Sequence, residues 1–159
     1  MNDVTRLPAL DAALTEGEAV AVCRDLSFRA DLNVAGHAMV ADEPVAVGGT
    51  DQGPSPYGLL SSALAACTAI TLQSYARIKQ LQLAAVRVYV RHRKVHREDC
   101  EHCESRSAMI DRFERYIALE GALTDEQRKR LLEIADRCPV HRTLTAGATI
   151  VTQALAADA

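Results

Sequence analysis

The stretch Gly48–Ala76, GGTDQGPSPYGLLSSALAACTAITLQSYA, holds the key to the fold. It opens as a loop: Val47–Tyr57 packs three glycines and two prolines into eleven residues, a density that breaks regular structure. Ser55 has the chemistry of an N-cap and Pro56 that of a first helical residue, where a missing N–H is harmless. From there Leu60, Ala63, Cys67, Ile70, Ser74 and Ile78 recur at spacings of three and four. This predicts one long helix to about Lys79 with that stripe toward the core. Gln52–Ala76 is 25 residues without a charge, long enough to cross a bilayer. Pro54, Pro56, Gln73 and several hydroxyl residues, with the helical periodicity, instead predict a buried helix and no membrane partner.

Working outward, the N-terminal side reads as extended runs separated by turns. Ala19–Arg24, Ser27–Val34 and His37–Ala41 predict an antiparallel meander, with Gly36 and Asp42-Glu43-Pro44 as turn residues. Residues 1–17 are weakly patterned and predict an N-terminal arm. On the C-terminal side, Leu83–His96 places Val86, Val88 and Val90 on one face and Arg87, Arg91 and Arg93 on the other, the period of a strand. Ile110–Glu120 alternates through Phe113, Ile117 and Leu119 up to Gly121. Thr124 and Gln127 form a capping box, so a helix runs from Asp125 to about Arg137 with Leu131, Ala135 and Cys138 on its stripe. Pro139 ends it, His141–Leu144 has room for one more turn, and Gly147–Leu155 reads as a closing strand. Strands, a long helix, strands, a helix and a strand make a single α+β domain over residues 1–159, with too few β-α alternations for a doubly wound sheet.

Composition narrows the function classes. The chain has 159 residues, 48% apolar and 25% charged, with net charge −3. That balance argues against a nucleic-acid partner or a polybasic membrane anchor. Aromatics are 4% with no Trp, too few for base-stacking platforms. Five cysteines, odd in number and sparse, without a signal-peptide pattern, predict a reducing cytoplasm and thiols kept for chemistry or metal.

Two cysteines stand in suggestive surroundings. Cys67 lies on a helix stripe beyond a Gly/Pro-rich entrance, and Cys138 ends a helix just before Pro139, His141 and Arg142. A buried cysteine commonly packs as a small hydrophobe, but a thiol near cations is favoured as thiolate, the nucleophilic form. Cys67 is about three turns into its helix, too deep for the helix N-terminus to activate it, so an Arg or His must come from elsewhere. A second constellation is RHRKVHREDCEHCE, with His92, His96, Cys100, His102 and Cys103. Cys100-x-x-Cys103 with His96 has zinc-ligand spacing; the alternatives are a solvated polar hairpin and a redox CxxC. His37 reads as a strand or turn histidine, and Gly48 and Gly49 as turn glycines rather than a phosphate cradle.

The run from Gly48 to Ala76, followed by RCPVHRTL at Arg137–Leu144, resembles the OsmC/Ohr family of thiol-dependent peroxidases, over about residues 18–155. The resemblance implies an intertwined homodimer, with antiparallel sheets wrapped around long central helices and no required cofactor. It implies that Cys67 attacks an organic hydroperoxide and becomes a sulfenic acid, that Cys138 resolves it as a disulfide, and that a thiol reductant restores the pair. Apolar helices around the thiols suit organic hydroperoxides, and prompt disulfide formation protects a sulfenic acid from overoxidation. Peroxidase members carry a Glu at the helix entrance; here that position is Tyr57, followed by Gly58. The family's activating Arg comes from the N-terminal region, where Arg29 and Arg24 are the candidates and Glu43 is a spare carboxylate. The departure at Tyr57 keeps an alternative open: a non-catalytic OsmC-like protein that binds a small apolar ligand or senses redox state.

Overall fold

The computed structural model describes residues 7–96 and 109–155. The chain gathers into two compact units, one of residues up to Pro56 with those from Thr149 on, the other Tyr57–Ala148.

In the first unit β1 (Ala19–Cys23), β2 (Ala30–Val34) and β3 (His37–Ala41) form the expected antiparallel meander in the order β1-β2-β3. β1 pairs with β2 from Ala19↔Val34 to Cys23↔Ala30, and β2 with β3 from Ala30↔Ala41 to Val34↔His37. Ala35 and Gly36, both at positive φ, make the tight reversal between β2 and β3. The glycine-rich segment that follows is folded around one carboxylate. Asp42 is buried and takes the N–H of Glu43 at 2.8 Å, the N–H and hydroxyl of Thr50 at 3.0 and 2.6 Å, and the N–H of Gln52 at 3.2 Å. The Thr50 hydroxyl above all holds the Asp42 carboxyl below the usual Asp range, against the opposing effect of burial. Gly49 packs so close to the Glu43 backbone that a Cβ would sit 1.8 Å from its carbonyl oxygen. The glycines at 48 and 49 are thus turn residues, as the sequence reading has them, and Gly49 is also a close-approach residue.

The second unit carries both key thiols. α1 (Pro56–Ile78) is followed by a two-stranded antiparallel ribbon of β4 (Leu83–His96) and β5 (Met109–Gly121), then α2 (Asp125–Ala135) and α3 (Pro139–Ala146). The ribbon registers from Leu83↔Gly121 to His96↔Met109, with an irregularity at Leu83/Ala85 where the chain passes Gly121. Its core is Leu72, Leu131, Ile134 and Ala135, fully or nearly fully buried, with Val86, Ile117, Leu119 and Tyr75 packed around them. The capping box forms as read: Gln127 N–H donates to the Thr124 hydroxyl at 3.2 Å, and Thr124 N–H to the Gln127 side-chain oxygen at 3.0 Å. Arg128 ties α2 to the ribbon by donating to the Leu119 and Gly121 carbonyls at 2.7 and 3.1 Å.

Two expectations are corrected. α1 buries Leu64, Thr68, Leu72 and Ala76, whereas Ile70 and Ile78 of the expected stripe are exposed. The buried face is rotated by about 100°, one residue step. Thr68 reaches the interior because its hydroxyl donates to the Leu64 carbonyl at 2.7 Å, which leaves no unpaired proton there. The second correction is the closing strand over residues 147–155, which does not form: α3 runs to Ala146, residues 147–155 find no ladder partner among the described residues, and Ile150 and Val151 are exposed. A strand needs a partner edge to take its N–H and C=O groups, and apolar alternation alone does not supply one.

Candidate functional site: a thiol pair between α1 and α3

α1 carries Cys67 at the margin of its buried face, next to Thr68. α2 ends at Ala135, a short turn follows, and Pro139 at the first position of α3 makes Cys138 the N-cap. The packing of α2 against α1 in the core brings the two cysteines side by side, so that each acts on the other's titration. Both are free thiols. Cys138 is fully buried and Cys67 half-buried, so only Cys67 is open to a substrate.

Their environments push the protons in opposite directions. Burial raises the Cys67 thiol above the ordinary cysteine value, and its Cys138 neighbour raises it further. Burial also opposes ionisation of Cys138, but Cys67, the His141 N–H, the Thr68 hydroxyl and the Val140 N–H together outweigh it and leave Cys138 lowered. The two amides belong to the first turn of α3, whose N–H groups have no intrahelical acceptor. At rest, then, the proton of the pair favours Cys67.

One cation beside this pair went unread in the sequence. Arg115 stands on β5 at the inward period of Phe113, Ile117 and Leu119, its side chain 13% exposed. Its guanidinium donates to the Thr68 hydroxyl at 3.1 Å, to the Ala135 carbonyl at 3.1 Å and to Asp136 at 2.8 Å. The signal was available: a charged residue at an inward position of an alternating strand is seldom placed there idly. Arg24 and Arg29, the cations expected from the N-terminal region, both pair with Asp31 in the first unit, at 3.0 and 2.8 Å.

Tyr57, at the helix entrance, is part of a small cluster. Its ring stacks flat on His92 with centroids 4.2 Å apart, and His92 Nε2 lies 2.8 Å from Asp111. Hydrogen bonding to His92 first, then the Lys94 charge and the Tyr57 hydroxyl, holds the Asp111 carboxyl below the usual range against its own desolvation. Asp111 lines a cavity of about 170 Å³ with Leu64, Phe113, His141, Leu144 and Thr145. Position 57 therefore supplies a ring and a hydroxyl where a carboxylate was sought, and the nearby carboxylate comes from β5.

Among the described residues no group of three or more His, Cys, Asp or Glu is placed to hold a metal. His96 ends β4 opposite Met109; Cys100 and Cys103, with His102, lie outside the described residues.

An α+β chain with a thiol pair between a long helix and a short helix start defines a class, and comparison with known proteins assigns it. The OsmC-like protein family matches residues 49–153, and the chain belongs to that family. Solved structures agree on the fold. An OsmC-like protein from Mycoplasma pneumoniae is 18% identical, with TM-score 0.63, over 80% of this chain and 86% of that one. An organic hydroperoxide resistance protein from Elizabethkingia anophelis is 18% identical, with TM-score 0.59, over 79% and 85%. An organic hydroperoxide resistance protein OsmC from Legionella pneumophila is 16% identical, with TM-score 0.52, over 80% and 88%. A search of curated proteins found no match.

Proposed function

We propose that the protein is a thiol-dependent peroxidase that reduces organic hydroperoxides with Cys67 and Cys138. The observation that carries this reading is the placement of a half-buried Cys67 beside a buried Cys138, both free thiols. In this reading the first step belongs to Cys67, the more accessible of the two. Its thiolate attacks the outer oxygen of the hydroperoxide, the O–O bond breaks, and the alkoxide leaves and takes a proton as the alcohol. Cys67 is then a sulfenic acid. The Cys138 thiolate attacks that sulfur, a disulfide forms, and hydroxide leaves as water. An external thiol supplies the two electrons and two protons that restore the pair.

In this reading the apolar face of α1 left open around Ala69 and Ile70, beside a cavity of about 560 Å³, is covered by a second copy, and the working form is a cytoplasmic homodimer. The presence of Tyr57 in place of a carboxylate, together with the raised Cys67 thiol, favours a second reading: a protein that binds a small apolar ligand or senses redox state. Stopped-flow mixing of the reduced protein with cumene hydroperoxide separates them. The peroxidase reading expects oxidation far faster than that of free cysteine. A rate no faster than free cysteine overturns it and leaves the second. Light scattering tests the dimer, and a monomeric mass removes it.

A further inference from the structure

Thr68 has one proton and two claimants for it. Its oxygen lies 2.7 Å from the Leu64 carbonyl, and it is also a side-chain partner of Cys138. The same oxygen accepts from Arg115 Nη1 at 3.1 Å, so its lone pairs are already partly committed to a cation. Thr68 and Cys138 are both fully buried, where a dipole or a charge acts with little screening by water. A hydroxyl polarised by a guanidinium is a better donor than one that is not. A Cys138 thiolate would compete with the Leu64 carbonyl for the Thr68 proton, and Arg115 would hold the oxygen in place for either partner.

We infer that Arg115 is a positioning residue for Cys138, acting through the Thr68 hydroxyl to favour the thiolate of the second cysteine. The inference deepens the peroxidase reading, on which its catalytic meaning rests, by saying what readies the resolving step. The setting of Cys138 is made by Cys67 and Thr68 from α1 and by the first-turn amides of Val140 and His141 from α3; Arg115 from β5, with Asp136 just past α2 on its guanidinium, meets that setting at the Thr68 hydroxyl. Asp136 shares the Arg115 guanidinium at 2.8 Å and moderates its charge. A purely structural account is also available for Arg115, since it binds the Ala135 carbonyl at the end of α2, where a cation suits the helix. That account predicts an effect on stability and none specific to Cys138.

The experiment reads the titration of Cys138 in the full chain by the NMR shift of its ¹³Cβ, without any peroxide. Arg115→Gln moves the Cys138 midpoint upward by about one pH unit, a tenfold loss of thiolate at a given pH in the titrating range. Arg115→Lys, which keeps the charge, retains at least half of the wild-type effect. Thr68→Val raises the midpoint by itself and removes most of the response to Arg115→Gln in the double variant. An unchanged midpoint in folded Arg115→Gln overturns the inference, and so does an Arg115→Gln shift of full size in the Thr68→Val background. Should Arg115→Gln fail to fold, Arg115→Lys and Thr68→Val carry the test, and a midpoint unmoved in both sinks it. A wild-type protein inert toward hydroperoxides, with these shifts intact, would sink the peroxidase reading and leave the link from Arg115 to Cys138 standing.

Discussion

The middle of α1 and the start of α3 each hold one cysteine of the pair, and the two places treat a thiol in opposite ways. At Cys67 the backbone N–H groups are already spent on the helix, and burial with its Cys138 neighbour raises the thiol. At Cys138 the chain has just turned, Pro139 starts a new helix, and the Val140 and His141 amides are available to an anion. After burial each thiol is shifted most by the other, and the amides at the start of α3 add to the lowering at Cys138. In the peroxidase reading the difference also divides the labour: the half-buried Cys67 meets the substrate, and the buried Cys138 closes the disulfide.

Substitution of the two cysteines produces the largest contrast. Cys67→Ser removes all hydroperoxide reduction, because the first bond is made there. Cys138→Ser leaves a single turnover, followed by overoxidation of Cys67 under excess peroxide. Mass spectrometry of the quenched reactions checks both. A Cys138→Ser variant as inert as Cys67→Ser, in its first turnover, would remove the division of labour.

The frame that brings the two places together comes next in magnitude. Leu131 is fully buried and packs with Leu72 of α1. Leu131→Ala therefore costs about 2–5 kcal/mol. A urea midpoint measures the loss, and the same sample shows slower closure of the Cys67–Cys138 disulfide as α2 loosens. A loss well below 1 kcal/mol would mean that α2 does not set the position of Cys138 through this core.

A smaller effect concerns the proton of the pair. The Cys67 thiol is raised first by burial and then by Cys138. A raised thiol has less thiolate at neutral pH, and its alkylation accelerates only as pH climbs past the ordinary cysteine range. Cys138→Ala removes the neighbour but keeps the burial, so the pH profile for iodoacetamide alkylation of Cys67 moves downward part of the way. An upward move would show that Cys138 had been helping Cys67 to ionise.

Much of this was legible from residues. Strict alternation at Val86, Val88 and Val90 fixed β4, and Thr124 with Gln127 fixed the start of α2, because each is a local rule with few competing solutions. The facing of α1 was not legible. With no charge from Gln52 to Ala76, both sides of the helix read as apolar, and a hydroxyl satisfied by its own helix let Thr68 face inward. Arg115 was missed because only apolar residues were counted along β5, though its position shares their face. The adjacency of Cys67 and Cys138 came from the family resemblance, since 71 residues separate them in the chain.

The smallest expected effect concerns Cys100 and Cys103, which lie outside the described residues and outside the two cysteine motifs of the pair. In the peroxidase reading Cys67 and Cys138 are enough for turnover, so Cys100→Ser and Cys103→Ser change it by less than about twofold. Turnover under a fixed thiol reductant checks this, and metal analysis of the same samples tests the zinc reading of that CxxC. Metal bound by wild type and lost in both variants, with turnover unchanged, would make that motif a structural clamp. Turnover lost in either variant, with the fold retained, would mean that electrons reach Cys67 and Cys138 through that motif, and the pair could no longer be treated as complete in itself.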